Sequence, residues 1–452
     1  MSERTTVLRH AATVLAGQLA VMAYGITDTI VAGRHAQASL AALSVGSSIF
    51  ISVYVALMGV LQALLPVWAE QRGARDSAAI GRSLRQALYL CLGAGLLGVA
   101  LLLSPGPLLR WTEVPPALQG EVERYLAVLA LALAPALLFR VYCTLNQALG
   151  HPQLVTWLQV AGLAAKVPLS IWFTFGGAGL PAQGAVGCAW ATLVVNTLLL
   201  ALALYLLRTQ NLYQPLALWQ RLERPDVAQL AAFLRLGLPA GLSIMVEVTS
   251  FTLMALFIAR QGLLATASHQ IAANITAVLY MVPLSLGIAA SARVSYWRGA
   301  GDEARAAAVA WMSFRLAALM ALALAALLFI ARKPLAGLYS SDPAVAALAA
   351  ALLLWVAASH LGDALQTLCA FVLRSYRVTL APLLIYCSLL WGAGLAGGYS
   401  LAYHGWGPWA GQALPTPFWA ANGLALAVTA ALFTALLART LRRQHAGAAP
   451  AA

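Results

Sequence analysis

The sequence predicts an all-α integral membrane protein with about twelve transmembrane helices in two pseudo-symmetric six-helix bundles. Three observations predict it. First, 62% of the 452 residues are hydrophobic and only 9% are charged, too few charges to build the polar surface of a soluble domain, which carries about 25%. Second, apolar runs of about 20 residues recur along the whole length, each long enough to cross a bilayer as a helix. Third, the two halves repeat. Shifted by 226 residues, Ala41 meets Ala267, Ile49 meets Ile275, Tyr54 meets Tyr280 and Ala63 meets Ala289. Arg72-Gly73 then meets Arg298-Gly299, and Asp76 meets Asp302. Six helices per half return the chain to its starting side, so the repeats are parallel, as in transporters that alternate access between two lobes. A channel built from repeats would more often show a ring of equivalent filter residues, and none is seen.

The expected spans run in order along the chain. The first, roughly 11–33, carries Asp28. The second, roughly 38–69, is followed by Arg72, Arg75, Arg82 and Arg85. The third covers roughly 84–104. The fourth, roughly 122–149, contains Pro135 and Arg140, and the fifth, roughly 153–175, contains Lys166 and Pro168. The sixth is placed at roughly 184–207. The seventh, roughly 230–259, contains Pro239 and Glu247. The eighth, roughly 266–296, carries Gln270, Asn274, Tyr280 and Pro283. The ninth lies at roughly 306–331, and the tenth, roughly 344–373, holds Asp363 and Gln366. The last two lie at roughly 377–402 and 416–438. Prolines inside spans free a backbone carbonyl and bend the helix. The longest polar connection, between Arg208 and Gln229, halves the chain. The expected organisation is an N-terminal lobe 1–207, a cytoplasmic linker 208–229 and a C-terminal lobe 230–452.

The net charge of +13 is explained by topology. Six bases, Arg34, Arg110, Arg124, Arg260, Arg332 and Lys333, fall on the side opposite the termini, and Arg140 and Lys166 lie inside spans. The remaining 19 of 27 fall on the side of the termini. By the positive-inside rule both termini are cytoplasmic, and no nucleic-acid partner is expected. The five cysteines all lie in apolar spans without CxxC spacing, which reads as packing rather than a disulfide or zinc framework. The sequence has no HExxH, GxSxG or GxxxxGK[ST] motif, so no enzyme activity, cofactor or nucleotide drive is expected.

Of fourteen acidic residues, three lie inside spans: Asp28, Glu247 and Asp363. A charge at the centre of a membrane helix costs about 2.5–3.5 kcal/mol on insertion scales and points to function. A carboxylate in a low-dielectric cavity takes up H⁺ or Na⁺ on one side and releases it on the other as exposure changes. Two carboxylates from different helices, with hydroxyl and amide oxygens nearby, suit a hard cation. Ser243, Thr249, Ser250, Ser359 and Gln366 are the expected oxygen donors. The alternative is a structural ion pair, Asp363 with Arg374 or Asp28 with Arg34. Lys166 is a further partner for Asp28, either as a static pair that neutralises it or as one that breaks and re-forms in transport. Gln270, Asn274 and Tyr280 share one helix; they line a cavity for a flat organic ligand or act as interhelical hydrogen-bond donors and acceptors. His269 and His360 read as satisfied interior histidines rather than proton relays.

GLPAGLSIMVEV, followed by ASHQIAANI, MVPLSLGIAASARV and GAGD, resembles the multidrug and toxic compound extrusion (MATE) family, in its NorM-like branch. ITDTIVAGR with LAALSVGSSIF, GDALQ with VLRSYR, GAVGCAWAT and FWAANG resemble further parts of it, and together they cover essentially the whole chain. The resemblance implies two six-helix lobes around a central cavity. It implies antiport of Na⁺ or H⁺ against small organic, often cationic, drugs or toxins in the cytoplasmic (inner) membrane. Glu247 and Asp363 match the family's second-lobe acids, which would hold Na⁺ in a sodium-coupled member, and Asp28 matches the first-lobe acid. Asp363 also borders the family's drug cavity, so the expected cavity residues are Asp363, Gln270, Asn274, Tyr280 and Gln366. Two departures stand out. Lys166 and Ser170 replace asparagines near the first-lobe acid, and an ammonium there opposes a metal cation. Ser359 stands where some members carry a tyrosine. Both departures give H⁺ more weight. Membrane lipid is the expected surrounding partner, and the chain is expected to be a monomer. The alternative function is a flippase or exporter of an amphipathic lipid-linked or metabolite substrate, which would need a lateral opening and a basic head-group site.

Overall fold

A computed structural model describes residues 2–106, 115–177, 179–405, 411 and 413–448. Arg110, expected on the side opposite the termini, lies outside the described residues. Among those described, twelve helices are long and apolar enough to cross a membrane and no β-strand forms. They are α1 (Glu3–His35), α2 (Gln37–Gly73), α3 (Ser77–Leu103), α4 (Leu118–Ala148), α5 (Pro152–Phe175) and α6 (Ala185–Thr209). The second six are α7 (Val227–Ala259), α8 (Leu263–Gly299), α9 (Glu303–Tyr339), α10 (Pro343–Ser375), α11 (Leu380–Tyr403) and α12 (Thr416–Gln444). The expected spans fall on these helices one for one. α2 breaks at Ala63 and Leu64, and Pro66 opens the helical piece that follows, where a missing N–H leaves no helical hydrogen bond unmade. α11 widens to a π-helix over Cys387–Ala396, a Gly-rich stretch.

The repeat read from the sequence has a local counterpart in the turns after α2 and α8. Arg75 and Gly301 both take left-handed conformations, with φ of 58° and 77°. The next residues, Asp76 and Asp302, cap α3 and α9 by accepting from Ala79 N and Arg305 N, each at 2.8 Å. Each carboxylate satisfies an otherwise free first-turn N–H.

The chain forms two compact units. One is Thr13–Gly241, here the N-terminal unit; the other joins Met1–Ala12 to Leu242–Ala452, here the C-terminal unit. These bounds differ from the expected break at 208–229. Local packing explains why. The segment after α6 is strapped to the N-terminal unit rather than hanging as a tether. Glu223 receives Arg85 Nη2 at 2.6 Å and Nε at 3.1 Å, and Arg85 Nη1 donates to Ala217 O at 2.8 Å. Gln86 brackets the same turn, donating to Arg224 O and accepting from Asp226 N. The Arg85 guanidinium holds the Glu223 carboxyl below its ordinary value. The start of α7 then packs tightly on α2: a Cβ at Gly241 would lie 2.5 Å from Ala56 O, so the backbones approach only because the residue is glycine. In the C-terminal unit, Arg293 of α8 grips the first turn of α1, with Nε and Nη2 each 2.6 Å from a Glu3 carboxylate oxygen.

The core of the N-terminal unit centres on α4, with Leu126, Ala132, Leu133, Leu137 and Leu145 fully buried. In the C-terminal unit α10 has the same place, burying Leu352, Leu353, Leu368, Val372 and Leu373. Each central helix can therefore hold polar side chains away from lipid.

Candidate functional site

The three intramembrane acids have different surroundings. Asp28, on α1 in the N-terminal unit, is 8% exposed. Lys166 of α5, 1% exposed, places its Nζ 2.8 Å from Asp28 Oδ1. The same ammonium donates to Cys188 O at 3.0 Å and Thr192 Oγ1 at 2.7 Å on α6. A lysine has three N–H donors, and here three acceptors meet them. Ser170 Oγ, one turn after Lys166, donates to Asp28 Oδ1 at 2.9 Å. The Lys166-x-x-x-Ser170 spacing puts both donors on one face of α5. Arg34, the other partner considered, makes no ion pair with Asp28 among the described residues.

Glu247 and Asp363 belong to the C-terminal unit, on α7 and α10. Neither has a basic partner within ion-pair distance among the described residues. Arg374 lies instead over the Phe371 ring at 4.5 Å, at the C-terminal turn of α10. Gln366 joins the two acids. Its Nε2 is 3.2 Å from Glu247 Oε1, 3.1 Å from Asp363 Oδ1 and 3.1 Å from Thr367 Oγ1. Its Oε1 accepts from the Tyr386 hydroxyl of α11, which fixes the amide with its donor side toward the carboxylates. Tyr280 of α8 donates to Glu247 Oε2 at 3.4 Å. Asp363 and Gln366 are one turn apart on α10 and are 8% and 0% exposed, while Glu247 and Tyr280 are half-buried. Four helices of one unit thus converge on two carboxylates with neutral donors and, among the described residues, no cation within ion-pair distance.

Several expected neighbours lie elsewhere. The Thr249 hydroxyl turns back to Met245 O at 2.6 Å, and Ser359 to Val356 O at 3.2 Å, as helical Ser and Thr readily do. Ser250 donates to Leu390 O in the π segment at 3.3 Å. None of these three hydroxyls bonds to either acid. Gln270 and Asn274 bond to each other at 3.2 Å and are exposed, so no interhelical bond between them and another helix is formed among the described residues. His269 and His360 were expected to be satisfied, yet His269 Nδ1 and His360 Nε2 are buried without a hydrogen-bond partner among the described residues. The His269 ring instead packs on Trp419, centroids 5.5 Å apart. Tyr386 was not anticipated. Its signal in the sequence is a phenol inside the apolar run LLIYCSLL, a polar tip that needs a partner when buried.

Twelve apolar helices among the described residues, in two units, with two acids inside the spans of one unit and no base at ion-pair distance from them, define a polytopic membrane transport protein. The MatE family model matches residues 14–172 and 239–399. A probable multidrug resistance protein NorM of Aromatoleum aromaticum is 39% identical over 436 residues, 96% of this chain and 94% of its own. The multidrug resistance protein PmpM of Pseudomonas aeruginosa is 34% identical over 445 residues, 98% and 92% of the two chains. Among solved structures, a MATE transporter in the bent conformation is similar with a TM-score of 0.89, at 16% identity, covering 99% of this chain and 98% of that one. The eukaryotic MATE transporter AtDTX14 gives 0.85 at 18% identity, covering 99% of both chains. The chain belongs to the MATE family of transporters, in its NorM-like branch.

Proposed function

We propose that the protein is a secondary multidrug efflux antiporter of the bacterial cytoplasmic membrane, with both termini cytoplasmic. It exchanges a cation for small organic, mainly cationic, compounds by alternating access. The relatives named for multidrug resistance support the class of cargo. The observation that carries the coupling is the Gln366-bridged pair of the half-buried Glu247 and the buried Asp363, without a basic partner at ion-pair distance among the described residues. Such a pair is stable in the membrane only when a cation or proton offsets its charge, and a cationic cargo competes for the same charge.

The geometry supports H⁺ better than Na⁺ as the coupling ion. A metal ion needs several oxygens turned toward it. The hydroxyls of Thr249, Ser250 and Ser359 face backbone carbonyls, and Gln366 turns N–H rather than oxygen toward the acids. A proton needs only a carboxylate oxygen. Na⁺ binding would require the Gln366 amide to turn over and release Tyr386. The test is ethidium efflux from proteoliposomes under a pH gradient alone and under a Na⁺ gradient alone. Efflux driven by the pH gradient alone is expected. Efflux driven only by Na⁺ would reverse the choice of ion, and no efflux under either would contradict the multidrug reading.

A further inference from the structure

Within the N-terminal unit, the segment that follows α6 forms a pocket at the end of a membrane span, and the coupling site does not use it. The pocket holds about 190 Å³. Leu207 and Arg208 of α6 line one side, and Gln214, Leu218, Trp219 and Gln220 of the segment line the other. Its walls are fixed. Tyr213, 2% exposed, donates to Asn146 Oδ1 at 2.7 Å, and Leu216 is buried too. Ala217 turns the chain through a left-handed conformation, with φ of 46°, and its carbonyl is held by Arg85 Nη1 at 2.8 Å. That turn brings Trp219 back to α6, where its Nε1 donates to Leu207 O at 3.4 Å. Nearby, α6 exposes Leu198, Leu204 and Tyr205, the kind of surface a span turns to lipid, and Trp219, 59% exposed, adds to it. An exposed Trp beside the last turn of a span marks the depth of the lipid head groups.

The charge around this pocket is basic and uncompensated. The two acids of the segment are engaged inside the protein, Glu223 by Arg85 and Asp226 by the backbone N–H groups of Ala228 and Gln229. Arg208, Arg221 and Arg224 are exposed, with no carboxylate at ion-pair distance among the described residues. The Arg208 guanidinium stands 5.9 Å from the centre of the Trp219 ring. That contact steadies the side chain and leaves its fork of N–H donors to meet a phosphate. The Gln220 side chain makes no hydrogen bond among the described residues, so its amide is available to a hydroxyl. Pockets for drug-sized ligands measure about 300–1,000 Å³; this smaller one suits a head group rather than cargo. Clustered bases next to a span attract anionic lipid, whereas the ammonium of a choline head group would meet three like charges.

We propose that this pocket binds the phosphate of an anionic phospholipid at Arg208, with head-group hydroxyls at Gln220 and the acyl chains along the exposed surface of α6. The site goes beyond the efflux reading and does not depend on it. Purified protein in detergent is equilibrated with equal amounts of dioleoyl phosphatidylglycerol and dioleoyl phosphatidylcholine, which share acyl chains and differ in head group. The lipid retained is then identified by native mass spectrometry. Wild type is expected to retain the glycerol lipid about tenfold over the choline lipid, the scale of a charged hydrogen bond. Arg208→Gln should remove most of that preference. Arg208→Lys, which keeps the charge and loses the fork, should keep part of it and carries the test if the Gln variant does not fold. Arg442, exposed near the end of α12 in the other unit, supplies the control: Arg442→Gln removes the same charge and should leave the ratio unchanged. A ratio near one in wild type overturns the site. So does an equal fall in Arg208→Gln and Arg442→Gln, since the attraction is then diffuse. A melting temperature that inorganic phosphate raises in wild type and not in Arg208→Gln, combined with a lipid ratio near one, also overturns it, because the occupant is then a free anion.

Discussion

Asp28 and the pair Glu247 and Asp363 are carboxylates buried in membrane helices of one chain, and their surroundings are opposite. Asp28 faces a lysine whose three donors are all engaged, with a serine hydroxyl completing the contact. Glu247 and Asp363 face an amide and a phenol, which polarise a negative charge without cancelling it. A fixed ion pair needs nothing from solution. An uncompensated acid pair changes its energy with every proton, metal ion or cationic cargo that arrives. On the proposed function, coupling belongs to the C-terminal unit, and Asp28 with Lys166 has a structural role.

The largest effect that would break or sharpen this contrast is loss of transport. Glu247→Gln and Asp363→Asn should each reduce gradient-driven ethidium efflux to that of protein-free liposomes, while gel filtration shows a folded protein. Next comes stability. Lys166→Ala leaves a buried acid unpaired and should cost about 3–5 kcal/mol in denaturant unfolding. Adding Asp28→Asn should recover most of that loss; additive losses in the double variant would mean that the two residues do not act as a pair. A smaller change is expected for Gln366→Leu, which strips the carboxylates of their shared donor and leaves the Tyr386 hydroxyl unpaired. It should destabilise by about 1–3 kcal/mol and shift the pH dependence of efflux, whereas an unchanged pH profile would make the amide a packing residue. The smallest effect concerns the strap after α6. Glu223→Gln should speed hydrogen exchange over residues 211–226 with little change in melting. Because Arg85 lowers the Glu223 pKa, the wild-type contact should persist above the ordinary carboxyl range and be lost as pH falls through the lowered value.

Much of this was legible in the sequence, for physical reasons. A bilayer demands about 20 apolar residues per span, so all twelve helices could be read. Carboxylates in such runs are too costly to be incidental, so Asp28, Glu247 and Asp363 were visible, and Lys166 stood out for the same reason. What could not be read depended on side-chain direction. Thr249 and Ser359 sit close to the acids in sequence, but a helical hydroxyl can reach its own backbone more easily than a neighbouring helix. Tyr386 meets Gln366 only because α10 and α11 both pack on α12, and a lone tyrosine in an apolar run does not reveal that. The compact units divide at Gly241 rather than between Arg208 and Gln229, because composition marks that stretch as polar but does not show that Arg85 and Gln86 hold it down.

The measurement that tests the central claim most directly is proton release on drug binding, recorded in weakly buffered, Na⁺-free solution with purified protein. Wild type should release protons when ethidium binds. The folded double variant Asp28→Asn, Lys166→Ala should release the same number, while Glu247→Gln and Asp363→Asn should release fewer or none. Undiminished release from the C-terminal variants, or its loss when only the Asp28–Lys166 pair is removed, would contradict the assignment of coupling to Glu247 and Asp363.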